Sequence, residues 1–472
     1  MSRRFLLFSL FFVAASSLLY PQTPDSTRAQ RISLQQARHS EEWVHRGVIY
    51  EIYTRSFSPE GTFAGIEKRL PELKNLGVTI LWLMPIHPVG VLHRKGTLGS
   101  PYSIQDYYAV NPEFGTIDDL KRLVKRTHEH GFHLIIDLVA NHTAWDNKLI
   151  DKHPEWFTKD RAGNIISPNP DWTDVADLDY SQPGLRSSMI EMMKYWVRDV
   201  DIDGFRCDVA EMVPTDFWEN ARSALESIKP VMMLSEGSYP EHHFRSFDAT
   251  YGWNIYHALA PIIKGEKPAS VFDAELDLEE ASYPRNALRM RFSSNHDENA
   301  WDASDVEKFG GNGAKLAAVL VNTMPGIPLL YNGQEVGNKR KLGLFEKVSI
   351  DWKGGDEFRT LYARLFELRK NHPAFFSGEL IRISTTNDKR VFAFARVSGP
   401  NKFIVVCNFD TSAFGGLIDL SSPRLGINNQ ITLTDVFSSH TATTRLLPSK
   451  LTPLEVPAVG FRIVQIEQEP PH

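Results

Sequence analysis

Eight apolar runs of strand length, spread between residues 48 and 331, constrain the fold of this chain more than any other feature. Several of them are nearly continuous, which is typical of parallel strands buried on both faces. The eight runs are Val48–Phe57, Thr79–Ile86, His133–Val139, Gly204–Ala210, Met232–Gly237, Phe247–Trp253, Leu288–His296 and Ile327–Tyr331.

The segments between these runs carry helix signals. Thr116 precedes Asp118 and Asp119, as expected at a capped helix start, and Gly131 follows the predicted end. Residues 189–200 have apolar side chains at helical spacing. Eight strands alternating with helices predict an α/β fold, a (β/α)₈ TIM barrel. A doubly wound open sheet is the alternative, and the eight-fold count and the positions of the polar residues argue against it.

Two segments fall outside this alternation. Residues 143–176 follow the third strand, are rich in Trp, Pro, Asn and Asp, and predict a domain B-like excursion over the barrel mouth. Residues 378–468 contain short β runs separated by turn residues, which predict a C-terminal all-β sandwich. The predicted barrel spans residues 41–376, and a polar linker at 23–40 precedes it.

Residues 1–22 have the pattern of a signal peptide. Arg3 and Arg4 precede an apolar stretch from Phe5 to Leu19, which is short for a membrane span. We therefore expect an exported protein, periplasmic or extracellular, with no membrane association once the signal is removed. An uncleaved membrane anchor is the alternative.

Composition narrows the classes of partner. The net charge is only -6 and no run of basic residues occurs, so we expect no binding to nucleic acid. A hydrophobic share of 42% is enough for a large core. Such a core does not need disulfides, and we expect the two cysteines, Cys207 and Cys407, to be free thiols.

Ionisable residues gather at the ends of four predicted strands. In a barrel of this type the active site lies at the carboxyl ends of the strands. The residues there are Asp137, Asn141 and His142 for the third strand, Arg206 and Asp208 for the fourth, Glu236 for the fifth, and His296 and Asp297 for the seventh.

Three of these carboxylates provide the chemistry of a retaining glycosidase. That reaction requires an ionised nucleophile and a protonated acid about 5–5.5 Å apart. Asp208 fits the first role because Arg206, two residues earlier on the strand, keeps it ionised. Glu236 fits the second, and Asp297 can favour the cation-like transition state. Taken singly, an Asp at a strand end is more often a turn former or helix cap than a catalytic residue.

Four segments resemble the signature regions of a known family. They occur in the same order as in the α-amylase superfamily, glycoside hydrolase family 13, and the likeness covers about residues 48–373. The segments are DLVANH at 137–142, GFRCDVA at 204–210, LSEG at 234–237 and SSNHD at 293–297.

The resemblance implies a role for each matching residue. It implies Asp208 as nucleophile, Glu236 as acid/base and Asp297 as transition-state stabiliser. It also implies four ligands of the sugar at the cleavage point: Tyr102, His142, Arg206 and His296. For Tyr102, packing at the barrel mouth is the alternative.

The residues after Asp208 depart from the pattern of many starch-cleaving members. Those members have Lys-His where this chain has Glu211 and Met212, and the pair helps to hold the glucan beyond the cleavage point. Val209 resembles members that favour α-1,6 bonds in short oligosaccharides. We therefore expect short maltodextrins to be accepted at least as well as starch.

The chemistry itself requires no metal and no cofactor. The resemblance leaves a structural Ca²⁺ site open, because Asn141 matches a calcium ligand of many amylases. Nearby carboxylates offer hard oxygen ligands, although a solvated acidic loop explains them equally well. These are Asp171, Asp174, Asp177 and Asp179.

The sequence thus predicts a monomeric glycoside hydrolase that cleaves α-glucosidic bonds in starch or maltodextrins through a covalent glycosyl-enzyme intermediate. Alternatives on the same fold are an α-glucan transglycosylase or isomerase, which pass the intermediate to a sugar, and an oligo-1,6-glucosidase. A non-catalytic carbohydrate-binding barrel is a further alternative. Such relatives lose one or more of the carboxylates, and all three are present here.

Overall fold

Eight parallel strands close into a barrel in the computed structural model, which describes residues 31–427, 430–437, 441–445 and 450–468. Each strand lies within one predicted run, so the predicted TIM barrel is confirmed. The first strand pairs with both the second and the eighth, which closes the barrel. The strands are Ile49–Ile52, Ile80–Leu83, His133–Leu138, Gly204–Cys207, Met232–Ser235, Ala249–Tyr251, Leu288–Arg291 and Ile327–Tyr331.

Helices follow the strands around the outside of the barrel. Thr116 caps one of them as predicted, in a reciprocal capping box with Asp119. Single 3₁₀ turns lie at Pro154–Trp156, Ala210–Met212, Gln334–Val336 and Pro423–Leu425. The helices are Glu42–His45, Thr54–Phe57, Phe63–Leu76, Ile117–Glu129, Lys148–Lys152, Pro183–Asp199, Thr215–Glu226, His242–Arg245, Trp253–Ile263, Val271–Ser282, His296–Trp301, Asp305–Thr323, Asp356–Asn371 and Pro373–Phe376.

The barrel strands are buried on both faces, as their apolar sequences predict. On the second strand, Ile80 and Trp82 belong to the cluster that fills the barrel interior. The intervening Leu81 and Leu83 belong to the cluster between the strands and the helices. Alternate side chains therefore serve two cores, which is why these strands carry few polar residues.

A two-stranded antiparallel ribbon marks the base of the excursion after the third strand. Its strands are His142–Ala144 and Val175–Asp177, paired so that His142 lies opposite Asp177. The ribbon starts only four residues after the third barrel strand ends. The excursion therefore begins at the barrel mouth and places His142 there.

The C-terminal region is all β, as predicted. A six-stranded antiparallel sheet has the strand order Glu379–Ile383, Val391–Ser398, Asn401–Asn408, Gly460–Gln468, Gln430–Asp435 and Thr441–Arg445. A separate antiparallel pair is formed by Phe414–Asp419 and Leu451–Val456. Both Cys207, in the barrel, and Cys407, in this region, are buried free thiols, as predicted.

The N-terminal residues that the structure describes are attached to the barrel. The Ala37 N–H donates to the Arg285 carbonyl over 2.9 Å, and Ser40 and Arg38 both bond the buried carboxylate of Asp248. The predicted signal peptide, residues 1–22, lies outside the described residues, as does the linker up to residue 30. Among the described helices, none combines the length and the apolar character that crossing a bilayer requires.

Candidate active site

The residues predicted to form the site meet at the carboxyl ends of the barrel strands. Parallel strands in a closed barrel end on one face, so side chains far apart in sequence come together there. The polar groups at these ends are Asp137 on the third strand, Arg206 on the fourth, Asp208 just after it, Glu236 just after the fifth, and Asp297 in helix His296–Trp301, which follows the seventh.

Solvent exposure divides these groups into two layers. The side chains of Asp137 and Arg206 are 0% exposed. Those of Asp208, Glu236 and Asp297 are 9, 15 and 33% exposed. The three carboxylates therefore face the barrel mouth, and the arginine and its aspartate partner lie behind them.

Arg206 holds three carboxylates at once. Its Nη1 lies 2.8 Å from Asp137 Oδ1 and 2.9 Å from Asp208 Oδ1. Its Nη2 lies 2.8 Å from Glu236 Oε2, an ion pair whose N–H is not aligned for a hydrogen bond. Although burial opposes it, Asp137 and Glu236 raise the pKa of Arg206 well above its ordinary value. The guanidinium is therefore a permanent cation that fixes the spacing of Asp208 and Glu236.

Aromatic rings surround this guanidinium. Its carbon lies 5.2, 5.7 and 5.8 Å from the ring centres of Trp82, Tyr102 and Tyr251. Arg206 Nε also donates to the Tyr251 hydroxyl over 3.2 Å. Rings at these distances attract a cation and exclude water, so charges in the site interact more strongly than they would at the surface.

The Asp208 carboxyl shares its surroundings with another carboxyl. Burial raises the pKa of Asp208 well above its ordinary value, Glu236 raises it further, and Arg206 opposes both effects. Two carboxyl groups whose charges interact in this way favour a state in which one is protonated and one ionised. A retaining glycosidase begins its reaction with that combination.

His296 lies between two carboxylates. Its Nδ1 is 2.5 Å from Glu51 Oε1, and its Nε2 is 2.7 Å from the Tyr102 hydroxyl and 3.2 Å from Asp297 Oδ2. Burial favours the neutral ring, but Asp297 and Glu51 raise the pKa of His296 well above its ordinary value. The resulting imidazolium helps to lower the pKa of Asp297 against its own burial, so Asp297 is ionised.

Glu51 is a site residue that sequence reasoning missed. It lies on the first strand, is fully buried, and bonds His296 across 245 positions of the sequence. An acidic residue in the otherwise apolar run IYEI was the available signal. A buried carboxylate normally requires a partner, and here the partner is a predicted site residue.

His142 and Tyr102 complete the predicted set. Burial lowers the pKa of His142 to about 4, against the effect of Asp174, so its ring is neutral and can donate or accept. The Tyr102 ring stacks on His296 at 5.2 Å, and its hydroxyl donates to Asp137 over 3.0 Å. The His142 ring also bonds the Tyr102 backbone, so all seven predicted residues are joined by direct contacts in one site.

A strained turn places the acid/base candidate beside the nucleophile candidate. Val209, directly after Asp208, has a left-handed backbone with φ of 37°, which is rare for a β-branched residue. Its N–H donates to Glu236 Oε2 over 2.7 Å, and the Ala210 N–H donates to the Glu236 carbonyl over 3.1 Å. The strain is thus coupled to the position of Glu236.

The Glu211 side chain holds the loop that follows Glu236. Its carboxylate accepts the backbone N–H groups of Ser238 and Tyr239, just after Glu236. A Cβ at Gly237 would lie only 2.6 Å from Glu211 Cγ, so the glycine permits this approach. Sequence reasoning missed this contact, although the glycine two residues before Tyr239 was a signal of close packing.

The candidate calcium ligands have partners within the protein. Asp174 forms an ion pair with Lys95 at 2.9 Å, and the same ammonium donates to the Asp171 carbonyl. Asp179 accepts from the Ser181 N–H instead. Across the described ranges, no group of three or more acidic, His or Cys side chains is arranged to hold a metal ion. The calcium site that the resemblance leaves open therefore stays a prediction.

The sequence matches the model of a known family. Residues 19–355 match the family model of the α-amylase catalytic domain. The chain belongs to the α-amylase family. It is therefore a glycoside hydrolase of a family that acts on α-glucans, and the predicted resemblance is confirmed.

Relatives of this α-amylase family member are known from sequence and structure. The chain is 28% identical to the α-amylase MalA of Haloarcula japonica over 78% of its own length and 56% of MalA. It is 26% identical to α-amylase 2 of Dictyoglomus thermophilum, over 81% of the chain and 75% of that protein. A noncanonic maltogenic α-amylase, AmyB of Thermotoga neapolitana, superposes with a TM-score of 0.84 and 34% identity, covering 90% of the chain and all of AmyB.

Proposed function

We propose that this enzyme cleaves α-glucosidic bonds in starch or maltodextrins with retention of configuration, through a covalent glycosyl-Asp208 intermediate. One observation carries the proposal. Three partly exposed carboxylates, Asp208, Glu236 and Asp297, face the barrel mouth, and a single buried guanidinium, Arg206, contacts the first two.

In the first displacement, protonated Glu236 donates its proton to the glycosidic oxygen and ionised Asp208 attacks the anomeric carbon. The C–O bond to the leaving sugar breaks, an ester bond to Asp208 forms, and the leaving sugar departs with the proton. Arg206 favours the ionised form of Asp208 until the attack begins. Ionised Asp297 stabilises the positive charge that develops on the sugar ring.

The second displacement reverses these roles. Glu236, now ionised, takes a proton from a water molecule as the water oxygen attacks the anomeric carbon. The ester bond to Asp208 breaks, and the carboxylate returns to its contact with Arg206. Two inversions at one carbon give net retention.

The four predicted sugar ligands contribute in different ways. The partly exposed Tyr102 ring is placed to contact the sugar directly, and neutral His142, which is buried, bonds the Tyr102 backbone. Arg206 is fully buried and His296 nearly so, and their N–H groups already contact carboxylates. We therefore assign Arg206 and His296 an indirect role. They position and charge-stabilise Asp208 and Asp297, which contact the sugar.

Conservative substitution of the two reacting carboxyls tests the proposal. Asp208→Asn and Glu236→Gln should each lower kcat on maltodextrins by roughly a thousandfold or more, because each removes one half of the two-carboxylate reaction. Asp216→Asn is a matched control, since that exposed carboxylate pairs with Arg186 on the outer helices. Retention of more than about a tenth of wild-type kcat by either site variant would contradict the assignment.

We also propose that the chain is exported to the periplasm or beyond. The support is the charged-then-apolar pattern of residues 1–22. The test is expression with the natural N-terminus, followed by fractionation and intact-mass measurement. A full-length mass found only in the cytosol would contradict export.

A further inference from the structure

Trp301 combines a polar contact with an exposed ring. Its side chain donates a hydrogen bond to the Asp297 carboxylate, yet the residue is 51% exposed. Trp301 lies four residues after Asp297 in helix His296–Trp301, so the two share one helix face. A large apolar ring is therefore presented to solvent directly beside a proposed catalytic carboxylate.

The helix that carries Trp301 is fixed at its start. The Asn295 side chain caps it by accepting the Glu298 N–H over 2.8 Å. The first helical residue, His296, is held by Glu51 on the first barrel strand. Further along, Asn299 Oδ1 accepts the Leu342 N–H over 2.7 Å. These contacts therefore fix the helix that carries the indole relative to the carboxylates of the site.

Phe345 supports the indole from the loop after the eighth strand. The two ring centres lie 5.6 Å apart with the rings inclined at 66°, an edge-on contact. The Phe345 carbonyl accepts the Leu98 N–H over 3.0 Å, which joins this loop to the one that leads to Tyr102. The indole of Trp301 thus packs against Phe345, whose loop is itself held by a backbone hydrogen bond.

The chemistry sets the direction of the substrate across the mouth. Glu236 must reach the oxygen of the leaving sugar, so that sugar lies toward the fourth and fifth strands. Trp301 and Phe345 come from the loops after the seventh and eighth strands, beyond Asp297. The part of the substrate that stays on the enzyme as the glycosyl ester therefore extends toward Trp301.

We propose that Trp301 is the stacking platform for the glucose unit that precedes the cleaved unit, on its non-reducing side. The C–H face of a pyranose is apolar and flat enough to cover an exposed indole, while the indole N–H remains on Asp297. This assignment rests on the proposed function and adds to it a specificity residue for substrates with at least two glucose units before the cleaved bond.

Two chromogenic substrates separate this role from a role in holding Asp297. p-Nitrophenyl α-glucoside has one sugar before the cleaved bond, and p-nitrophenyl α-maltoside has two. The measured quantity is kcat/KM for the maltoside divided by kcat/KM for the glucoside. Trp301→Ala should lower this ratio by about tenfold or more, the range that one lost pocket contact gives.

Trp301→Phe keeps the ring and loses the N–H donor, so it should keep the wild-type ratio. Because the donor helps to lower the pKa of Asp297, this variant should instead shift the acidic limb of the pH–rate profile upward. Tyr108→Ala is the control. That tyrosine is 49% exposed, packs on Tyr195 outside the site, and should affect neither measurement.

The outcomes are distinct. A ratio that falls with Trp301→Ala and stays with Trp301→Phe supports the platform. Equal losses on both substrates for Trp301→Ala, or no loss, overturn it. A wild-type enzyme that releases no sugar from maltodextrins contradicts the proposed function itself.

Discussion

Replacing Arg206 by lysine tests the central feature of the site, a single planar cation that contacts three carboxylates. The guanidinium reaches Asp137, Asp208 and Glu236 within 2.8–2.9 Å because its two terminal nitrogens point to different partners. A lysine ammonium keeps the charge, but it is one compact group on a flexible stem. Arg206→Lys therefore separates charge from geometry.

The expected loss can be worked from these contacts. An ammonium in this position can keep about one of the three carboxylate contacts, and a buried contact between charged groups of this kind contributes roughly 1.5–3 kcal/mol. Two lost contacts amount to about 3–6 kcal/mol. Protonation of a carboxylate reduces this loss, by about 1.4 kcal/mol for each unit by which its pKa rises. A net loss of about 3–4 kcal/mol corresponds to a fall in kcat/KM on the order of 10²–10³.

The pH dependence gives an independent readout. Arg206 opposes the burial and the Glu236 charge that raise the pKa of Asp208. With that opposition weakened, the pKa of Asp208 rises further and less nucleophile is ionised at a given pH. The acidic limb of kcat/KM against pH should therefore move to higher pH in Arg206→Lys.

Kinetics on maltotriose at a series of pH values measures both effects. Arg222→Lys is the matched control, because Arg222 is also a buried arginine, 2.6 Å from the carboxylate of Asp248, but lies on an outer helix. It should lower stability and leave the pH profile in place. Activity of Arg206→Lys within tenfold of wild type, or an unmoved acidic limb, would refute the reasoning.

Three further predictions follow from the same structure. Proton NMR of early products should show the α-anomer first, and a β-anomer first would exclude Asp208 as nucleophile. Glu211 accepts the Ser238 N–H and has no donor with which to hold the glucan beyond the cleavage point, so kcat/KM on maltotriose should at least equal that on soluble starch. A strong preference for starch, with no cleavage of maltotriose, would be contrary evidence. Burial alone would raise the pKa of Asp203, but hydrogen bonds from His128 and other donors lower it. The ionised carboxylate therefore stabilises the fold above about pH 4, and this stabilisation is lost as the pH falls. Asp203→Asn should therefore lower the free energy of unfolding by roughly 2 kcal/mol at pH 7 and by less at pH 3, measured by urea titration, whereas the exposed Asp201→Asn should change it little; an equal loss at both pH values would contradict the ion-pair account.

The barrel was predictable because its strands are buried on both faces. A run such as Ile80–Leu83 has little choice of residue, since one set of side chains fills the barrel and the other packs on helices. The sequence signal was weaker for the C-terminal pair. Phe414–Asp419 contains two glycines and Leu451–Val456 contains a proline, which strands usually avoid, so their pairing depends on neighbours already in place.

The residue types of the site were also readable from the sequence, since carboxylates at several strand ends are hard to explain as packing. Their partners were not. Glu51 and His296 bond across 245 residues because the first and seventh strands take their places in one closed barrel. Trp301 and Phe345 meet only because two loops lie side by side at its mouth.

The protonation state of the site residues and the partners of their side chains depend on the tertiary structure alone. Glu211 and Met212 show that the Lys-His pair is absent, but only the fold shows that the Glu211 carboxylate accepts the Ser238 backbone N–H. Likewise, burial makes His142 neutral, while two carboxylates make His296 a cation. Sequence determines which groups are available, whereas the pKa of each group depends on solvent exclusion and on neighbours that distant segments supply.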